Sequence, residues 1–358
     1  MCSAVFYLTK TSFLLCFFCC AMAACNPNDT HQQAMPAFYH WQTKLQLAPA
    51  ERNYLDSLGV KKLYAKFFDV DWDEATAQPM PLATIELDTT LLSGIEIVPC
   101  IFITNRTLLS LPMQQVDTLA FLIAKKITAL AVWPPKEIQF DCDWTERTRE
   151  KYFALLESFR RIVEADSSLI PNSSFLISAT IRLHQFKYLG KTGIPPVDRG
   201  MLMCYNMGDL EDWGIENSII DHSTANAYLH PASSIQYPLE LDLALPIFRW
   251  GVLFRDGKMI RLLNGLSKLD LNDASRFHRT APNRYEVVSS TYLNAHYLYK
   301  DDQIRLEASS AETVVEVAAL LNNKVALGQV FTVAFYHLDT ATVNCFPKEK
   351  IKDVLQQF

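Results

Sequence analysis

The chain has little of what most often announces a function. Only 11 of its 358 residues are glycine, and no glycine-rich phosphate turn follows any predicted strand, so nucleotide-binding loops have no foothold. Cations do not dominate: 33 Lys and Arg against 39 Asp and Glu leave a formal charge of −6, which argues against a nucleic-acid surface. Beyond the first 25 residues no apolar run approaches the length of a membrane span. Five of the nine cysteines (Cys2, Cys16, Cys19, Cys20 and Cys25) lie in that first stretch. The other four, Cys100, Cys142, Cys204 and Cys345, are too widely spaced for a disulfide framework or a zinc site. Buried, unpaired thiols that fill space are the expectation for them. Ser178 and the other serines lack a Gly-x-Ser-x-Gly elbow. No internal repeat is visible, and neither a cofactor nor a metal is called for.

What is present starts with a leader. Phe13 to Phe18 form a short apolar core, preceded by Lys10 and followed by small residues. That is the pattern of a cleaved export signal over residues 1–24. Met22-Ala23-Ala24-Cys25 resembles a bacterial lipobox, which implies lipid attachment at Cys25 and a place on a membrane of the cell envelope. An ordinary secretory signal cut near Ala24, leaving a secreted or periplasmic protein, is the alternative. Residues 25–36 are polar and turn-rich, as a tether would be.

The 334 residues that remain suffice for one large domain with an elaboration. Short apolar runs alternate with helical stretches, the pattern of a parallel sheet. Strands are expected over 37–41, 62–70, 95–103, 137–143, 175–183, 201–206, 239–248 and 330–337. Amphipathic helices are expected over 48–58, 116–130 and 145–165. Eight such strands point to an α/β fold, a (β/α)₈ TIM barrel, with a doubly wound open sheet as the alternative. Residues 249–324 break the rhythm. A hairpin around Asp256-Gly257, further strands over 285–288, 291–299 and 303–307, and a helix over 311–321 read as a small α+β insertion between strands seven and eight.

Active sites of such barrels form at the C-terminal strand ends. Those ends carry His40 and Trp41, Asp69 and Asp71, Asn105, Asp141 and Asp143, Arg182 and His184, Tyr205 and Asn206, Asp242, and Tyr336 and His337. Aromatic rings stack on sugar faces, and acids and amides bind hydroxyls, so this rim suits a polysaccharide or oligosaccharide better than a phosphate. Alternation along a strand puts Gln139, Asp141 and Asp143 on one face. Two carboxylates there are costly to keep ionised unless something binds or uses them.

Ile138-Gln139-Phe140-Asp141-Cys142-Asp143-Trp144 resembles the fourth strand of the chitinase-like glycoside hydrolases, family 18, whose motif is Asp-x-x-Asp-x-Asp-x-Glu. Met203-Cys204-Tyr205-Asn206 is similar to their sixth-strand Met-x-Tyr-Asp/Asn, and an insertion after the seventh strand also recurs there. The chain also resembles uncharacterised bacterial barrel proteins that join an Asp-x-Asp fourth strand to an export signal. The family resemblance implies that Asp143 orients a substrate N-acetyl group, that Tyr205 hydrogen-bonds it, and that Asp141 tunes Asp143 from behind. Two positions depart from the motif. Ile138 replaces its first aspartate, and Thr145 replaces the glutamate that protonates the leaving group, a task threonine cannot perform.

Glu146, one residue late, is the first substitute acid, so Asp141, Asp143, Tyr205 and Glu146 form the candidate catalytic set. Trp41, Asp69, Asn105, Arg182, His184, Asn206, Asp242 and Tyr336 form the candidate binding set. Asp143 and Glu146 also have the spacing of a capping box for the following helix. Asp69-Val70-Asp71-Trp72-Asp73 lacks the glycine and distal glutamate of a calcium loop. The leading expectation is a membrane-anchored, glycoside-hydrolase-like barrel that binds or hydrolyses polysaccharide. Its rivals are a non-catalytic glycan-binding or scaffold lipoprotein, and a metal-dependent hydrolase using Asp69, Asp71, Asp141 and His184.

Overall fold

The computed structural model describes residues 32–171, 175–230 and 237–358. The expected leader, the Cys25 anchor and most of the tether lie outside the described residues. Seven parallel strands follow one another: β1 (Gln33–His40), β2 (Lys62–Asp73), β3 (Glu96–Ile103), β4 (Glu137–Asp141), β5 (Leu176–Arg182), β6 (Arg199–Met203) and β7 (Glu240–Pro246). The first begins four residues before its expected start, so 33–36 are sheet rather than tether. An antiparallel insertion then intervenes: β8 (Arg249–Arg255), β9 (Lys258–Asn264), β10 (Phe277–Ala281), β11 (Arg284–Val287) and β12 (Gln303–Ala308), in the order β9-β8-β12-β11-β10. The last barrel strand, β13 (Val330–Tyr336), pairs with β7 on one side and β1 on the other. Because β1 also pairs with β2, the eight parallel strands close on themselves. The fold is a TIM barrel.

Helices α1 (Pro49–Ser57), α2 (Val116–Leu130), α3 (Arg149–Ala165), α4 (Leu183–Lys187), α5 (His222–Leu229), α6 (Ala311–Lys324) and α7 (Lys348–Leu355) lie between and after the strands. Their apolar faces pack outside the ring; Phe140 of β4, for example, meets Phe159 of α3 edge-on at 4.9 Å. Helix α6 buries Val314, Val317, Ala318 and Leu321 in the barrel's hydrophobic core, beside α5 and α7. The strands of the insertion keep a core of their own, built from Leu253, Leu263, Phe277, Val287 and Ile304 among others. Its first hairpin turns at Asp256 and Gly257, both with positive φ, 51° and 73°, the two-residue turn that matches strand twist. No helix joins β2 to β3; instead β2 runs on to Asp73 and folds back on the antiparallel strand Gln78–Leu82. Pro79 and Pro81 confine that strand to an edge.

Helix α3 starts at Arg149, later than the expected Thr145. The capping box does not form: Thr148 Oγ1 accepts from Thr145 N at 2.8 Å, while the Asp143 carboxylate is engaged elsewhere.

Strand alternation turns Glu137, Gln139 and Asp141 of β4 into the barrel. The contacts of Glu137 and Gln139 prove it, because they cross to strands that are not neighbours. Lys62 of β2 donates to Glu137 Oε2 at 2.8 Å, and the Tyr39 hydroxyl of β1 donates to Gln139 Oε1 at 2.6 Å. Asp242 belongs to the floor of this interior, not to the rim. It is the third residue of β7, 3% exposed, with Arg199 Nε and Nη2 on its carboxylate at 3.1 and 3.0 Å and Thr332 N at 2.6 Å. The expectation that Asp242 binds substrate at the strand ends is therefore corrected: a short strand carries its inward carboxylate at its first turn into the barrel, where an arginine neutralises it.

Candidate functional site

At the C-terminal end of β4 the chain leaves the sheet at Asp141, and Asp143 follows on the loop. Asp141 is 7% exposed and accepts from Thr180 Oγ1 of β5 at 2.6 Å. Burial, then the neighbouring Asp143 carboxylate, push its pKa up to about 7, against the smaller pull of Thr180 and Arg182. Asp143 is half-exposed and bound by Arg182 Nη1 at 2.6 Å, while Arg182 Nη2 reaches Asn206 O at 3.1 Å. Gln185 of α4 fixes the start of that turn by accepting from Arg182 N at 2.8 Å.

Asn105 serves the loop itself. Its Nδ2 donates to Asp143 O, and its Oδ1 accepts from Thr148 Oγ1 at 2.8 Å. It therefore positions Asp143 and holds the loop closed. Thr145 and Glu146 are both exposed on the loop and turn before α3, and Glu146 makes no hydrogen bond with the rim residues.

Opposite the carboxylates lies a continuous aromatic surface. Tyr205 is 6% exposed and stacks on Tyr336 at 5.2 Å, with 24° between the planes. Tyr336 also meets Trp41 at 5.7 Å and Phe248 at 5.6 Å, both edge-on, and Phe248 leans on Trp250 at 5.0 Å. The carboxylate of Asp141 lies close enough to raise the pKa of both Tyr205 and Tyr336, behind the larger effect of burial. On the far side of Tyr336 opens a cleft of about 590 Å³, lined by Trp41, Phe248, Trp250, His337 and Asp339. The insertion thus supplies one wall, through Trp250 at the start of β8.

Of the other candidates, Asp69 pairs with Lys66 Nζ at 3.1 Å on β2, and that ammonium also sits 5.9 Å from the Trp41 ring. Asp71 is held by Arg106, away from Asp141, and His184 is exposed on α4 against the Tyr188 ring. The four residues of the metal-dependent reading are not gathered: among the described residues no group of three or more His, Cys, Asp or Glu side chains is placed to hold an ion. Asn206 is exposed, with φ 53°, where it ends the β6 loop turn and gives its carbonyl to Arg182.

The sequence reading missed Thr180, Phe248 and Trp250. Thr180 had a signal, since Ser178, Thr180 and Arg182 alternate in an otherwise apolar strand. Phe248 had one as well, as the last residue of the expected strand 239–248, whereas Trp250 had none, because it joins the site only through the fold of the insertion.

No protein-family model and no curated protein sequence matches the chain. Solved structures do. The spore cortex-lytic enzyme SleL of Bacillus cereus aligns with a TM-score of 0.52 and 12% identity, over 92% of this chain and 75% of that one. The family 18 chitinase ChiB of Flavobacterium johnsoniae aligns at 0.52 and 10%, over 91% and 94%. This chain has the fold of the family 18 chitinases. A family 18 chitinase of Cycas revoluta, solved in complex with (GlcNAc)3, aligns at 0.50 and 11%, over 90% and 98%. At these identities the likeness concerns the chitinase-like barrel alone.

Proposed function

We propose that this protein is a glycan-binding barrel of the cell envelope that holds an oligosaccharide across the aromatic rim without cleaving it. The observation that carries the reading is the missing proton donor. Thr145 occupies the place of the acid, Glu146 stands exposed without a tie to the rim, and the motif's remaining exposed carboxylate, Asp143, is already paired with Arg182. Glycosidic cleavage needs an acid at the leaving oxygen. Binding needs only the partly exposed rings of Trp41 and Tyr336, the latter backed by Tyr205, and polar groups that exchange partners. The half-exposed Asp143–Arg182 pair is worth about 0–1 kcal/mol, so ligand hydroxyls can displace it at little cost. The (GlcNAc)3 bound by the fold relative from Cycas supports N-acetylglucosamine oligomers as the first ligands to try.

The test is calorimetry with such oligomers beside an assay for new reducing ends. Saturable binding is expected, weakened roughly tenfold by Trp41→Ala or Tyr336→Ala, with no reducing ends released. A second reading rests on Asp141, whose pKa of about 7 keeps about half of it protonated at neutral pH and able to donate. That reading predicts turnover that declines as pH rises through about 7 and disappears in Asp141→Asn; observing it would sink the binding-only proposal.

The place in the envelope rests on the leader and on Cys25. Metabolic labelling with a fatty acid should mark the protein, and Cys25→Ala should abolish the label. Label that survives the substitution sinks the Cys25 anchor, and label that never appears favours an exported protein without a lipid.

A further inference from the structure

At the outer end of the insertion three tyrosines stand in solvent together. The predicted strand over 291–299 is instead a tight hairpin, Thr291–Leu293 against His296–Leu298, turning at Asn294 and Ala295, both with positive φ. Leu293 and Leu298 point into the insertion's core, and the alternation sends Tyr292 and Tyr297 outward as a directly opposed cross-strand pair. Tyr292, Tyr297 and Tyr299 are 69%, 44% and 52% exposed. The rings of Tyr292 and Tyr297, and of Tyr297 and Tyr299, lie 5.0 Å apart.

Side chains beneath hold this patch in shape. Arg255 stacks on the Tyr299 ring at 4.2 Å while pairing with the buried Asp302 at 2.7 Å, and Asp302 accepts from Tyr299 N at 2.8 Å. Arg276 donates to Thr291 Oγ1 at 2.8 Å and to the Tyr292 carbonyl. The patch is remote from the rim. Strand β8 runs from Arg249 beside the cleft to Arg255 beneath Tyr299, about 20 Å for its seven residues.

We infer that this tyrosine hairpin is a second binding site, for an anionic polysaccharide. Phenol rings are apolar on their faces and hydroxylated at the edge, the combination that lies against the C–H face of a pyranose while bonding its hydroxyls. Charge complementarity selects the anionic class. Residues 249–308 carry ten Lys and Arg against seven Asp and Glu, in a chain whose formal charge is −6. The buried pairs Asp302–Arg255 and Glu307–Arg305 cancel, which leaves eight cations against five acids. Residues 291–300 contain no acid, although exposed Asp301 follows Lys300, and Arg261 lies 2.9 Å from His296 Nδ1 beside Tyr297. The site stands apart from the rim, so it does not depend on the function proposed above.

The probe is a polygalacturonate oligomer, with a neutral cello-oligosaccharide of equal length as control, measured on the whole chain at low salt. Tyr292→Ala/Tyr297→Ala should lower polygalacturonate affinity about tenfold, and added salt should weaken binding by the parent protein. Trp41→Ala, at the rim, should leave it unchanged. Both tyrosines are exposed, so a circular dichroism spectrum matching the parent is expected and checks the fold. Equal affinity of parent and double variant, loss of binding in Trp41→Ala instead, or equal binding of the neutral oligomer overturns the inference. So does tyrosine-dependent self-association in sedimentation without oligosaccharide binding, which would make the patch a contact with a second copy.

Discussion

Two buried titratable residues govern how this site responds to pH, and they act in opposite senses. Asp141 has a folded pKa of about 7 against an ordinary 3.8. The folded protein therefore binds its proton more tightly than the unfolded chain. That contribution is complete below pH 4 and is lost as pH rises through 7. Asp141→Asn keeps an acceptor for Thr180 and removes the titration. The variant should be more stable than the parent at pH 8, by roughly 2–4 kcal/mol, and the difference should vanish near pH 4. Urea unfolding at the two pH values measures it; a pH-independent difference would mean that Asp141 ionises freely. His40, 4% exposed and facing His337, is pushed down to about 4, by burial first. Its contribution is complete above pH 6.5 and fails as pH falls through 4.

At this scale the sequence was only half legible. Alternation placed Asp141 correctly on the inner face of β4. The same reading put Asp242 on the rim, because a carboxylate in an apolar strand looks alike at either end. Only the partner tells them apart, Arg199 at the floor and Thr180 at the rim.

Among the elements, the joint between the insertion and the barrel turns on one buried ion pair, Arg305 with Glu307. Arg305 of β12 is fully buried, with its guanidinium on Glu307 and on the carbonyls of Leu210 and Asp212. Glu307 in turn accepts from Ser218 N at 3.1 Å and from Trp250 Nε1 at 2.8 Å. One ion pair thus ties the insertion to the loop after β6 and orients a wall of the cleft. Glu307→Ala strands a buried cation and should cost about 3–5 kcal/mol, read by denaturant unfolding, with ligand affinity at the rim falling as Trp250 loses its acceptor. A loss under about 1 kcal/mol would show that Arg305 finds other partners.

Gly251 of β8 gives a second check on the same wall. A Cβ there would lie 2.5 Å from Leu266 Cδ2 and 3.1 Å from Ile304 Cγ2, so Gly251→Ala should destabilise by about 1–3 kcal/mol. Melting of the variant tests this, and an unchanged melting temperature would mean that Leu266 moves aside freely. The strands of the barrel were readable because their β-branched and aromatic runs are buried on both faces. Strand Gln78–Leu82 was not, since two prolines in five residues hide an edge strand. The start of α3 was misread because Asp143 has a capping residue's spacing and a binding residue's partner.

For the whole molecule, the run of eight barrel strands was the most legible feature, and the closed ring bears it out. The site was legible as an address, the end of β4, and not as a surface. Part of its second half, Trp250, arrives from the insertion, whose docking depends on Arg305, a residue no local pattern marks.

The register that seals the ring sets Gln33 beside Val330, almost the length of the chain apart. Contacts of such separation form late, because the loop they close is nearly the whole polypeptide. While the chain is still being synthesised, β1 and β7 are therefore two open edges waiting for one strand. Until Val330–Tyr336 emerges, the nascent protein remains a threadable ribbon with sticky borders, dependent on whatever shields unpaired strands in the cell.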